Sequence, residues 1–83
     1  MNNKTRKIYE KVISGKSDGN IRFSDFYNLI LNLGFEFDRQ HGTSHMVFYH
    51  PIIKEHLNIQ RKKDKAKSYQ VQQLRELIKE YNL

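Results

Sequence analysis

The sequence predicts an α+β fold: a three-stranded antiparallel sheet with two helices on one face and an extra helix at the N-terminus. Three observations predict it. Apolar residues recur at helical spacing in three stretches, two before and one after the middle of the chain. Between the second and third of these stretches the apolar period falls to two, the period of a half-buried strand. The breaks between the alternating segments are short, which favours a meander of antiparallel neighbours.

Residues 4–14, KTRKIYEKVIS, form a short helix with Ile8 and Val12 on one face and Tyr9 and Ile13 beside them. GKSDGN, 15–20, is a turn-rich break. In RFSDFYNLILNLG, Ser24 is the expected N-cap of the second helix, and Asp25 sits where the helix dipole favours an anion. Phe26, Leu29, Ile30 and Leu33 follow at spacings of three and four, and Gly34 stands where a left-handed cap is needed. GFEFDRQ then alternates, with Phe35 and Phe37 on one side and Glu36 and Asp38 on the other. His41 and Gly42 make a turn. SHMVFYH is the second strand, stopped by Pro51, and HLNIQR is the third, alternating through Leu57 and Ile59. KKDKAK is a basic connection. SYQVQQLRELIKEYNL is the last helix, with Ser68 as its expected N-cap and Val71, Leu74, Leu77, Ile78 and Tyr81 as its apolar stripe. The two longer helices are the natural cover for one sheet face.

The chain has 83 residues, the size of one small domain. No apolar run is long enough to cross a membrane, and the charged N-terminus MNNKTRKIYEK has no signal-peptide core. The absence of cysteine excludes disulfides and thiolate-bound zinc and fits a cytoplasmic protein. Fifteen Lys and Arg against nine Asp and Glu give a net charge of +6. That balance favours a polyanionic partner, with a membrane surface or an acidic protein as alternatives.

All four histidines fall between residues 41 and 56. His45 and His50 are five apart, so on one strand they point to opposite faces, and no HxxxH pair lies on a predicted helix. No metal site and no cofactor are therefore expected. His50 is expected at the surface or sheet edge, His56 leads a strand without a special signal, and His41 is a turn residue. His45 opens a strand directly after Gly42, Thr43 and Ser44. If Met46 and Phe48 face the helices, His45, Val47 and Tyr49 face outward; Val47 is also apolar, so the opposite orientation stays open. An outward histidine beside turn amides can give or take a proton near neutral pH. A lone strand histidine is nevertheless more often structural or merely exposed than catalytic. RKKDKAK carries five positive charges and one negative. It reads either as a solvated loop or as a phosphate-binding segment completed by amides near Ser68.

Three segments in this order, RFSDFYNLILNLGFEFDRQ, GTSHMVFYHP and LNIQRKKDKAKSYQVQQLRELIKEYNL, resemble the HicA (YcfA-like) toxins of type II toxin–antitoxin systems. The likeness runs from about Asn20 to Leu83. It implies a single HicA-like domain over 1–83, with a core of 20–83 and 4–14 as an added helix. The implied fold is like the double-stranded-RNA-binding domain. The implied activity is that of an mRNA interferase, and the family's catalytic histidine maps to His45. The implied partners are mRNA and a HicB antitoxin, expected to cover the sheet face around His45. On this reading Gly42, Thr43, Ser44, Arg61, Lys62, Lys63, Lys65 and Lys67 hold the RNA phosphates. Tyr49 and Lys65 are candidates for a second proton-transfer group. Two departures from the family stand out. Thr43 separates Gly42 from Ser44-His45, and Ser68 stands where many members have Pro. The alternatives are a non-catalytic RNA-binding domain with the same basic segment, or a protein-interaction module that binds an acidic partner.

Overall fold

The computed structural model describes residues 1–42 and 44–83. The expectations placed on Thr43, as a phosphate-binding residue and as an insertion before His45, lie outside the described residues. Among those residues the order of elements is α1 (Asn3–Ser14), α2 (Phe23–Asn32), β1 (Glu36–His41), β2 (His45–His50), β3 (Glu55–Lys62), β4 (Lys65–Ala66) and α3 (Ser68–Tyr81). The strands form one antiparallel sheet in the order β1-β2-β3-β4. α2 and α3 pack against the sheet, and α1 packs against both of them.

Each helix is placed by its apolar stripe, and its ends differ in part from expectation. α1 is capped by Asn2, whose Oδ1 accepts the Thr5 amide at 2.8 Å, and it buries Thr5, Ile8 and Val12. α2 starts at Phe23 behind Arg22, with no side-chain cap, so Ser24 lies inside the first turn and is not the N-cap. Ser68 likewise is the first residue of α3, and Lys67 precedes it without a side-chain cap. In both cases the chain enters the helix directly from a backbone-paired segment. The Phe23 amide donates to the Asp64 carbonyl at 2.8 Å and the Ala66 amide to the Ile21 carbonyl at 2.9 Å. The end of α2 meets expectation. Gly34 has φ +102°, its amide donates to Leu31 and the Phe35 amide to Ile30. These two bonds form a Schellman motif.

The sheet has four strands, not three. The stretch expected to be a basic connection is a hairpin: Arg61 pairs with Ala66 and Lys62 with Lys65, and Lys63 takes a left-handed φ of +56° at the turn. No apolar alternation marks β4 in the sequence, since Ala66 is its only buried residue. Because β4 is so short, the Gln60 amide on β3 has no strand partner there. It donates instead to Gln70 Oε1 at 2.7 Å, and Gln70 is buried at the start of α3. An unpaired buried amide there would cost about 1–3 kcal/mol.

The core lies between the helices and one sheet face. Phe26, Leu29 and Ile30 of α2, Val71, Leu74 and Ile78 of α3, and Ile8 and Val12 of α1 meet Phe48, Leu57 and Ile59 of the sheet. Two polar latches hold the periphery. Arg75 forks onto Asp18 at 2.8 and 3.0 Å and also donates to the Val12 carbonyl, joining α3 to the end of α1; the hydrogen bond to Asp18 raises the guanidinium pKa. Tyr81 donates to Glu55 at 2.5 Å, and that bond pushes the phenol pKa up to about 12.

Candidate active site

Register decides which side chains reach solvent on the uncovered sheet face. On β2, Phe48 is fully buried and Met46 packs against the core, so His45, Val47 and Tyr49 project from the other side. Their partners on β3 are Gln60, Asn58 and His56. β1 would not follow by simple alternation. If Phe37 faces inward, Arg39 and His41 should too. The register shifts between Phe37 and Arg39, however, and Asp38 is the extra residue. Phe37 therefore pairs with Phe48 on the helix side, while Arg39 pairs with Val47 and His41 with His45 on the open side. A bulge that re-aims side chains in this way is a recurrent device beside functional sites.

The result is an open depression of about 330 Å³ lined by Arg39, His41, His45, Val47 and Asn58. His41 is thus not a turn residue but the last residue of β1, directly across from His45. Both are exposed. Val47, between Arg39 and Asn58, is only 7% exposed, so this face offers less apolar docking area than its sequence suggests. Arg39 donates to Asp38 at 2.6 Å. Farther along the face, Tyr49 packs on His56 with ring centroids 4.7 Å apart, and His56 Nε2 lies 3.9 Å from Asp38. Asp38 thus lies between Arg39, with which it pairs, and the Tyr49–His56 pair.

The positive residues of the β3–β4 hairpin and Lys67 do not point to one place. Lys67 donates to Gln60 Oε1 at 2.7 Å, and Gln60 Nε2 donates to Ser44 Oγ at 3.0 Å. This chain ties the start of α3 to the residue before His45. Arg61 instead lies over the Phe23 ring, 4.8 Å from its centroid, toward the helices. Lys65 donates to Asn20. Lys62, Lys63 and Lys65 line a separate depression of about 260 Å³ with Gly19 and Ser68. Among the described residues, Lys67 is the cation of the run that is hydrogen-bonded toward the His45 side. Gly42, at φ +69°, adjoins the same end of the sheet, and among the described residues nothing stands within 4 Å of where its Cβ would lie.

His50 departs most from expectation. It is buried, 4% exposed, on the helix side of β2. Its Nε2–H donates to the Leu33 carbonyl at 2.9 Å, and its Nδ1 accepts from the Ile52 and Ile53 amides at 3.3 and 3.4 Å. Its ring meets Phe35 edge-on. It therefore ties the α2 terminus to the turn after β2. Among the described residues, no three His, Asp or Glu side chains come together as a metal-holding group. Arg39, Asn58 and Gln60 were not apparent as site residues: Arg39 needed the bulge, and the others needed the register.

A family model described as "HicA toxin of bacterial toxin-antitoxin" matches residues 23–82, well over half of the chain. The chain belongs to the HicA toxin family. HicA toxins are in general RNA-cleaving nucleases, and membership implies an antitoxin partner. The match begins at Phe23, so the HicA region contains α2, the whole sheet and α3, and α1 precedes it. No curated protein and no solved structure matches the chain. Among the described residues, no helix is long and apolar enough to cross a membrane.

Proposed function

We propose that this HicA toxin is a metal-independent endoribonuclease that cuts mRNA, with His45 as a general acid or base. The observation that carries the reading is the position of His45. It is exposed on the uncovered sheet face, in one depression with Arg39, and one hydrogen-bonded chain links its neighbour Ser44 to Lys67. RNA carries its own nucleophile, the 2′-hydroxyl. A protein then needs to position the phosphate, move protons and offset developing charge. The expected products are a cyclic phosphate and a free 5′-hydroxyl.

Phosphate binding is assigned to Gly42, Thr43, Ser44 and the cations Arg61, Lys62, Lys63, Lys65 and Lys67. The geometry supports Lys67 best for the scissile phosphate. Lys62 and Lys63 suit a more distant part of the strand, and Arg61 and Lys65 are engaged elsewhere. The domain reading belongs to the same proposal: 1–83 as one HicA-like unit, similar to the double-stranded-RNA-binding domain, with α1 added to a 20–83 core. The burial of Ile8 and Val12 in the common core supports it. A HicB-like antitoxin that covers the face around His45 would block the site directly, in a cytoplasmic setting.

The test is the purified His45→Ala variant on RNA, with the parent measured in EDTA. Loss of about 10²- to 10⁴-fold in rate is expected for removal of a general acid or base. Cleavage by the variant at the parent rate sinks the assignment and leaves an RNA-binding module. Loss of parent activity in EDTA removes the metal-independent part.

A further inference from the structure

We infer that His41 is the second proton-transfer group of this site, so that cleavage uses a pair of histidines on neighbouring strands. The inference rests on the ribonuclease reading above. His41 and His45 are direct register partners at the end of the β1–β2 ladder. Cβ atoms of such partners lie roughly 4.5–5.5 Å apart. Both side chains project from the open face, both are exposed, and both line the depression that holds Arg39. The bulge at Asp38 creates this pairing. Without it, His41 would share the inward parity of Phe37. The other candidates fit less well. Lys65 is hydrogen-bonded to Asn20 at the β4 edge of the sheet, and Tyr49 sits four residues along β2 from His45 with its ring against His56.

The chemistry balances with two such groups. One neutral imidazole takes the proton of the 2′-hydroxyl as the P–O2′ bond forms. The other, protonated, gives its proton to O5′ as the P–O5′ bond breaks. The enzyme leaves the step with the two protonation states exchanged, and solvent restores them. Arg39, on the same face, offsets charge on the non-bridging oxygens if it exchanges its bond to Asp38 for one to the phosphate.

The test uses an RNA oligonucleotide that the parent cleaves at a mapped site, and the same oligonucleotide with sulfur in place of the bridging 5′-oxygen there. A thiolate leaves without a proton donor. Parent, His41→Gln and His45→Ala are measured on both across pH. Each variant is expected to lose about 10²- to 10⁴-fold on the oxygen substrate. Each is also expected to lose one limb of a bell-shaped pH profile. Sulfur restores one variant to near the parent rate but not the other, which identifies the acid. His41→Gln cutting the oxygen substrate within threefold of the parent overturns the inference, while an inactive His45→Ala leaves the ribonuclease reading standing. Equal losses on both substrates for both variants also overturn it, because a positioning or binding role predicts that pattern. His45→Ala at full activity overturns the underlying reading instead.

Discussion

His45 and His50 open and close the same strand, yet they meet opposite environments. His50 faces the helices, where every ring nitrogen has a backbone partner and the ring packs on Phe35. His45 faces the open side, among Arg39, His41 and Asn58. The residue type is the same, and strand parity alone separates the two. One histidine is committed to holding α2 and the turn after β2 in place; the other is exposed in the depression on the open face. What a histidine can do here is set by the face of the sheet, not by its place in a motif.

The largest expected effects test this division directly. His45→Ala should lower RNA cleavage by about 10²- to 10⁴-fold with unfolding midpoints near the parent's, because the side chain is exposed. His50→Ala should do the reverse. It removes a buried ring and leaves the Leu33 carbonyl and two amides without their partner, a loss of about 2–4 kcal/mol in denaturant unfolding. At temperatures where it remains folded, it should cleave at close to the parent rate. If His50→Ala loses cleavage while keeping stability, the two faces are not independent.

Glycines sharpen the same contrast at a smaller scale. Gly34 and Gly42 both have positive φ, but a Cβ on Gly34 would lie 2.7 Å from His50 Nε2, whereas among the described residues nothing lies within 4 Å of one on Gly42. Gly34→Ala should therefore combine backbone strain with a clash and cost about 2–3 kcal/mol. Gly42→Ala meets only the strain, about 1 kcal/mol. Equal losses in thermal unfolding would mean that the contact with His50 adds nothing to the Gly34 requirement.

Much of the fold was legible because its elements bury regular stripes. The α2 periodicity, the glycine that closes it and the alternation through Leu57 and Ile59 all survive in the structure. What stayed hidden depends on contacts distant in sequence. β4 carries a single buried side chain and is held by the segment 21–23, so no local pattern announces it. The burial of His50 depends on the end of α2, and Gln70 is buried because β4 stops short of Gln60. At the site, the exposure of His45 followed from parity once Phe48 was placed inward. Arg39 and His41 did not, since a bulge reverses their faces and alternation alone would send them to the helix side of the sheet.

The basic segment offers the next contrast. Lys67 is linked to Ser44 through Gln60, and Lys65 is directed to Asn20. If the substrate crosses the His45 face, Lys67→Ala should weaken RNA binding several-fold. It should also reduce the slope of log affinity against log salt by about 0.7, the value for one phosphate contact on a single strand. Lys65→Ala should change that slope less. Equal slopes for the two variants would mean that the whole hairpin contacts the strand and that the link to Ser44 does not single out Lys67.

The smallest effect concerns the hairpin turn, where stability and charge pull apart. Lys63 holds a left-handed φ of +56°, a conformation disfavoured for a residue with a Cβ by roughly 1–2 kcal/mol. Glycine relieves that strain but gives the unfolded chain more freedom, a cost of about 0.5–1 kcal/mol. Lys63→Gly should therefore stabilise the fold by about 0.5 kcal/mol, read as a small rise in the denaturation midpoint. The substitution also removes a cation from the Gly19–Ser68 depression, away from the depression of His45. Cleavage of a short RNA that reaches only the His45 side should be unchanged, while a longer RNA that extends to the hairpin should bind more weakly. A lower midpoint would show that the Lys63 side chain contributes more to the native turn than its strain costs. Equal weakening for short and long RNAs would place the hairpin tip within the same footprint as His45.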